Sequence, residues 1–251
     1  TGKSTVSKLL QEEHNIPLID LDIVAREVVE PGTSTLKQLV QAFGQEVLQP
    51  DGTLDRPKLG RIAFGDESKR KILNKITHAA VRRRMAWLLI KYWMSGAKVV
   101  VVDTPLLVEA GLWQWCGQAV VVWCSKEDQL IRMLKRDSDK GLTEEDAKQR
   151  LAAQWDLDKK RPYADVILDN SKPLRAAGPS EQQDDESLES QVARLVASWN
   201  RHYSGLFGAF WWLSEWLVPP FGIVMGILVG LRRQNQVKRR LGAKDKRAHK
   251  L

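Results

Sequence analysis

The chain opens TGKSTVSKLLQEEHNIPLIDLD, residues 1–22, and the reading of these residues decides the fold. Gly2-Lys3-Ser4-Thr5 is the closing part of a G-x-x-x-x-G-K-[ST] loop. In such a loop backbone N–H groups wrap phosphate oxygens, the lysine neutralises the β and γ oxygens, and the Ser hydroxyl ligates Mg²⁺. A tetrapeptide of this kind also occurs by chance at ordinary helix starts, so its context carries the weight. A helix is expected over residues 4–13, and the apolar run Ile16 to Asp22 then ends in acids, as a strand with its carboxyl end at a site would. Only Thr1 precedes Gly2, so the first glycine, a first strand and any targeting segment are expected upstream of these residues.

Farther along, Lys98 to Asp103 (KVVVVD) and Ala119 to Cys124 (AVVVWC) are short, Val-rich and apolar, the pattern of buried parallel strands. Val166 to Asp169 (VILD) is a weaker third case. Residues 34–95 read as mostly helical, broken by a turn at Gln49-Pro50-Asp51-Gly52, and helices are expected at 126–137 and 143–155. Alternating strands and helices imply an α/β fold, a three-layer αβα arrangement around a parallel sheet with its ligands at the strand carboxyl ends. That domain occupies residues 1–170. Residues 171–190 are polar, acidic and Pro/Gly-containing, hence a linker, and 191–203 form a closing helix.

The net charge of +8 is not spread over the chain. Residues 232–251 hold nine Lys/Arg and one acid, Asp245, which is 9 − 1 = +8 and leaves residues 1–231 at zero. A nucleic-acid binder usually spreads its basic charge over a folded face, so no nucleic-acid function is read here. Cys116 and Cys124 lie near an apolar strand with no CxxC spacing, as buried thiols of a reducing compartment do; no cysteine metal site is expected. Of the ten tryptophans, Trp87, Trp93, Trp113, Trp115 and Trp123 are assigned to core packing.

Six segments in order give a family resemblance over roughly residues 1–170. They are Ile19-Asp20-Leu21-Asp22-Ile23-Val24-Ala25-Arg26 with Val28-Val29-Glu30-Pro31-Gly32, Asp51-Gly52-Thr53-Leu54-Asp55-Arg56, Ile62-Ala63-Phe64, and Asp103-Thr104-Pro105-Leu106-Leu107-Val108-Glu109. Gln129, Arg132, Arg136 and Asp137 follow, and then Gln154, Lys160, Ala164-Asp165 and Asp169-Asn170. In these the chain resembles the dephospho-CoA kinases. It departs from them at His78-Ala79, where the family commonly has His-Pro.

The resemblance implies ATP with Mg²⁺ as donor and the ribose 3′-hydroxyl of dephospho-CoA as acceptor, the last step of coenzyme A synthesis. Asp22 is then the catalytic base, although an Asp before Ile23 is also a good helix N-cap. Asp20, two residues earlier, is assigned to structure or to the surroundings of the metal. Gly2, Lys3, Ser4 and Thr5 hold the nucleotide, Ser4 with Mg²⁺, and Asn170 is added to them by resemblance. Arg136 is expected to close over the phosphates from a helical lid. Arg132, one turn earlier, serves equally well as a surface ion pair. Arg26, Asp103, Leu107, Glu109 and Lys160 are assigned to the acceptor, with helix capping an equal explanation for Asp103 and Glu109. Two other functions compete: another P-loop kinase, and a membrane-tethered interaction protein without catalysis.

Leu206 to Leu231 carries a single charge, Glu215, and as one helix would reach roughly 39 Å at about 1.5 Å per residue, against a bilayer core of about 30 Å. Pro219-Pro220 divides it, and Trp211, Trp212 and Trp216 cluster before the break. Residues 206–231 are therefore expected to associate with a membrane, as a kinked span or a re-entrant hairpin, with 232–251 as a basic tail. A helix docked on the domain is the soluble alternative. The catalytic domain is expected in the cytoplasm, and a complex with other enzymes of coenzyme A synthesis stays open.

Overall fold

The computed structural model describes residues 1–137, 143–152, 155–171, 187–206, 208, 212–214 and 219–248. They form two compact units, one from Thr1–Asn15 with Pro105–Leu251 and the other from Ile16–Thr104.

In the Ile16–Thr104 unit, strand β1 (Leu18–Asp20) runs parallel to β2 (Val101–Asp103), pairing Leu18 with Val101, Ile19 with Val102 and Asp20 with Asp103. The ladder is short for a local reason. Pro17 has no N–H to give, and its carbonyl accepts from Val101 at 2.9 Å, while Asp20 already caps helix α2 (Leu21–Glu27). The rest is helical, and each helix starts on a side chain that satisfies its orphan N–H groups. Thr33 caps α3 (Ser34–Phe43), Asp55 caps α4 (Arg56–Phe64) and Asp66 caps α5 (Glu67–Met94). The expected turn at 49–52 is present, with the Gly52 N–H donating to Gln49 O at 2.9 Å and Gly52 at φ +80°. Val29, Leu36, Leu39, Phe43, Val47 and Leu59 form the core between these helices.

In the other unit, α1 (Lys3–Glu12) buries Val6 and Leu10 and packs on α9 (Leu188–His202), which buries Val192, Leu195 and Val196. Strand β3 (Val120–Trp123) runs parallel to β4 (Val166–Asp169), from Val120 opposite Val166 to Trp123 opposite Asp169. Between them in sequence lie α6 (Lys126–Asp137), α7 (Glu144–Ala152) and α8 (Leu157–Lys160). The single parallel sheet expected from the sequence is thus two parallel pairs. Among the described residues no strand joins them, because each ladder closes within its own unit.

The C-terminal region differs most from expectation. Pro219 and Pro220, expected to divide the apolar segment, open α10 (Pro219–Ala248), a place that suits a residue with fixed φ and no N–H. This helix runs through the 231/232 boundary without a break. Among the described residues no helix is long and apolar enough to cross a membrane. Nor is the whole basic run solvated. Arg233 is only 5% exposed and sits 2.8 Å from Asp165, donating also to the carbonyls of Trp113 (2.9 Å), Cys116 and Gly117. Val237 is buried with Val108, Trp113 and Ala119, and Arg240 donates to Ala164 O at 2.7 Å. A guanidinium whose donors all find oxygens can be buried; a bare one cannot. Residues 172–186 of the expected linker lie outside the described residues, and α9 begins three residues earlier than expected, on the Ser187 cap.

Candidate functional site

Gly2 is the N-cap of α1 at φ +93°, where an L side chain is strained, and its carbonyl accepts from Thr5 N (3.0 Å) and Val6 N (3.1 Å). Space requires glycine as well: a Cβ there would lie 2.0 Å from Nδ2 of Asn170. Asn170 is buried at the end of β4. Its side-chain N–H₂ donates to Thr1 O at 2.9 Å, its backbone N–H to Trp123 O at 2.7 Å, and its carbonyl accepts from Arg132 at 2.7 Å. Asn170 and Arg132 therefore tie the start of α1 to the carboxyl ends of β3 and β4.

Lys3 and Ser4 occupy the first turn of α1, Ser4 exposed and Lys3 half-buried. No acid stands in that turn, so the positive end of the helix is left for an anion. Among the described residues the Ser4 hydroxyl has no hydrogen bond. A lone hydroxyl fits Mg²⁺, which takes one or two protein oxygens and completes its shell with phosphates and water. Among the described residues no cluster of three His, Cys, Asp or Glu offers a separate metal site.

Glu109 and Lys160 are brought together, Oε1 to Nζ at 2.7 Å, with the ammonium also 2.9 Å from Pro105 O. Both are largely enclosed, and Trp155 N–H donates to Glu109 Oε1 at 3.3 Å. The other oxygen, Oε2, is buried and has no hydrogen-bond partner among the described residues. Among the described residues Glu109 caps no helix, and its carboxylate is paired with Lys160. Leu107 is half-buried against Val108, Trp113, Ala119 and Val237. The side chain of Arg136 lies outside the described residues.

In the Ile16–Thr104 unit, Asp22 is not on the strand but in the first turn of α2. The capping role weighed for it belongs to Asp20, whose Oδ1 accepts from Asp22 N (2.8 Å) and Ile23 N (3.2 Å). Among the described residues the exposed Asp22 carboxylate has no hydrogen bond or ion pair, and the same holds for the guanidinium of exposed Arg26. Asp103 is buried at the end of β2, in register with Asp20. Sequence reasoning missed the Asp20 cap and the Asn170 clamp. The first had a signal, an Asx placed two and three residues before the N–H groups of a new helix; the second spans 169 positions and had none.

Comparison with known proteins agrees with this geometry. A family model described as dephospho-CoA kinase matches residues 1–175. Dephospho-CoA kinase of Arabidopsis thaliana is 49% identical over 240 residues, covering 95% of this chain and 94% of that protein. Dephospho-CoA kinase of Shouchella clausii is 49% identical over 171 residues, covering 68% and 85%. Among solved structures, TT1252 from Thermus thermophilus superposes with a TM-score of 0.62 at 29% identity, over 81% of this chain and 93% of that one. With a glycine-started helix placed to receive phosphate, and with matches of this extent, the chain belongs to the dephospho-CoA kinase family.

Proposed function

We propose that this kinase moves the γ-phosphoryl group of ATP to the ribose 3′-hydroxyl of dephospho-CoA, releasing ADP and CoA. The observation that carries the reading is Asp22: an exposed carboxylate, unpaired among the described residues, two residues beyond the Asp20 cap, in the motif that carries the family resemblance. The 3′-oxygen forms its bond to the γ-phosphorus as the bond to the β–γ bridging oxygen breaks, and Asp22 takes the hydroxyl proton. Lys3 and the N–H groups opening α1 hold the phosphate oxygens, and Ser4 is the protein oxygen offered to the metal. Mg²⁺, when bound, supplies neutralisation of charge on the phosphates. Arg136 stabilises the transferred group from the lid. Arg26, Asp103, Leu107, Glu109 and Lys160 serve the acceptor. The buried Glu109 Oε2 accepts one of its donors, since a carboxylate oxygen left unmatched in the interior is costly.

The test is ADP release with MgATP and dephospho-CoA, AMP or adenosine, in a protein carrying the whole G-x-x-x-x-G-K-S loop. Only dephospho-CoA is expected to turn over. Asp22→Asn is expected to abolish turnover while ATP still binds, because the amide keeps the shape but cannot take the proton. Undiminished turnover in that variant would remove Asp22 from the mechanism.

The same proposal puts the kinase on the cytoplasmic side of a membrane, held through residues 206–231. Its support is composition, a single charge, Glu215, in 26 residues. Retention of the full chain, and not of one lacking 206–251, in a membrane fraction washed at high salt is the measurement that checks it.

A further inference from the structure

The zero net charge of residues 1–231 conceals one strongly basic element. Helix α5 holds Lys69, Arg70, Lys71, Lys75, Arg82, Arg83, Arg84 and Lys91 against a single acid, Glu67. Its last three turns, from Arg84 to Met94, are also apolar nearly all round. At 3.6 residues per turn one stripe, Leu88 and Tyr92, turns inward and is half-buried. The opposite stripe is Trp87, Ile90 and Met94, which are 55%, 53% and 67% exposed. Arg83 lies within this outer stripe, with Arg82 and Lys91 at its margins. Arg84 is held by Glu27 at 3.1 Å and lies 5.7 Å over the Trp87 ring, so that the indole is fixed on the surface.

The sequence assigns Trp87, Trp93 and Trp115 to the core; the structure leaves them 55%, 38% and 83% exposed. Large apolar side chains in a row, ringed by cations, form a surface that asks for an apolar occupant with anionic edges. A second copy of the chain does not suit it. Twofold pairing of this face would set Arg82, Arg83 and Lys91 against a like set. A bilayer with anionic lipid matches both features, with acyl chains for Trp87, Ile90 and Met94 and headgroup phosphates for the flanking cations. We infer that the outer face of the second half of α5 docks on an anionic phospholipid surface. This site is independent of residues 206–231 and of the catalytic reading.

The experiment is co-sedimentation of the full chain with vesicles of phosphatidylcholine alone or with about 30 mol% phosphatidylserine. Binding is expected to be stronger to the anionic vesicles than to the neutral ones, and the difference to vanish at high salt. A basic residue near such a surface is worth about fivefold in partitioning, so Arg82→Gln/Arg83→Gln is expected to weaken binding about 25-fold. Ile90→Asp/Met94→Asp is expected to weaken it at least as much. Both variants keep turnover, which controls for folding; should the aspartate pair fail to fold, the glutamine pair decides alone. Wild-type binding by the glutamine pair, or equal binding to neutral vesicles, would overturn the inference. So would a dimer of the wild type that the aspartate pair dissolves without changing vesicle binding.

Discussion

Replacing Arg233 by methionine tests whether α10 belongs to the kinase unit. The guanidinium now contacts Asp165 Oδ1 and Oδ2 at 3.4 and 2.8 Å and three backbone carbonyls, those of Trp113, Cys116 and Gly117. Methionine fills similar space but leaves those carbonyls without their donor and Asp165, among the described residues, with only the Ala119 N–H at 2.7 Å. Removing one partner of a buried ion pair costs about 3–5 kcal/mol. The Asp165 side chain keeps 23% of its exposure, so water recovers part of the loss, and about 3 kcal/mol is expected. For a chain of this size that corresponds to a fall in Tm of about 6–12 °C. Arg233→Met/Asp165→Asn is expected to regain more than half of it, since the stranded charge is gone. Thermal melts followed by circular dichroism read the difference. A fall of less than about 2 °C in the single variant would refute the seating of α10 on this unit.

Gly2→Ala is expected to weaken ATP binding at least tenfold, because φ +93° and the 2.0 Å approach of Asn170 Nδ2 both oppose a methyl group; nucleotide titration checks it. Asp20→Ala removes the α2 cap, worth about 1 kcal/mol, and is expected to lower kcat with little change in the KM for ATP, since Asp22 loses its support. Lys126 lies 2.6 Å from Asp156, and its hydrogen bond holds that carboxyl below the ordinary carboxylate range. A folded-state value that is depressed contributes stability above that range, lost as pH falls through the depressed value. Asp156→Asn is accordingly expected to melt below the wild type at neutral pH and low salt, with the gap closing in acid. A gap that persists at the lowest pH would refute the pairing.

Features set by neighbours in sequence were legible before any coordinates. Helix α6 spans the residues expected of it, Lys126–Asp137, and β4 is the VILD run itself, because periodicity and β-branching act within a few positions. The glycine opening α1 was legible for the same reason: the G-K-S-T pattern is a backbone requirement written locally. The exchange of roles between Asp20 and Asp22 was harder. Both lie in one tripeptide, and the cap falls to Asp20 only because β1 ends there, in register with Asp103. What no pattern could disclose are contacts across long stretches of chain: Asn170 with Thr1, Lys160 with Glu109, Arg233 with Asp165. Composition places nine cations in residues 232–251 and reads them as a solvated tail, since charge ordinarily stays in water. Which of them is buried depends on where an acid and three carbonyl oxygens converge, and only tertiary packing brings those groups to one point.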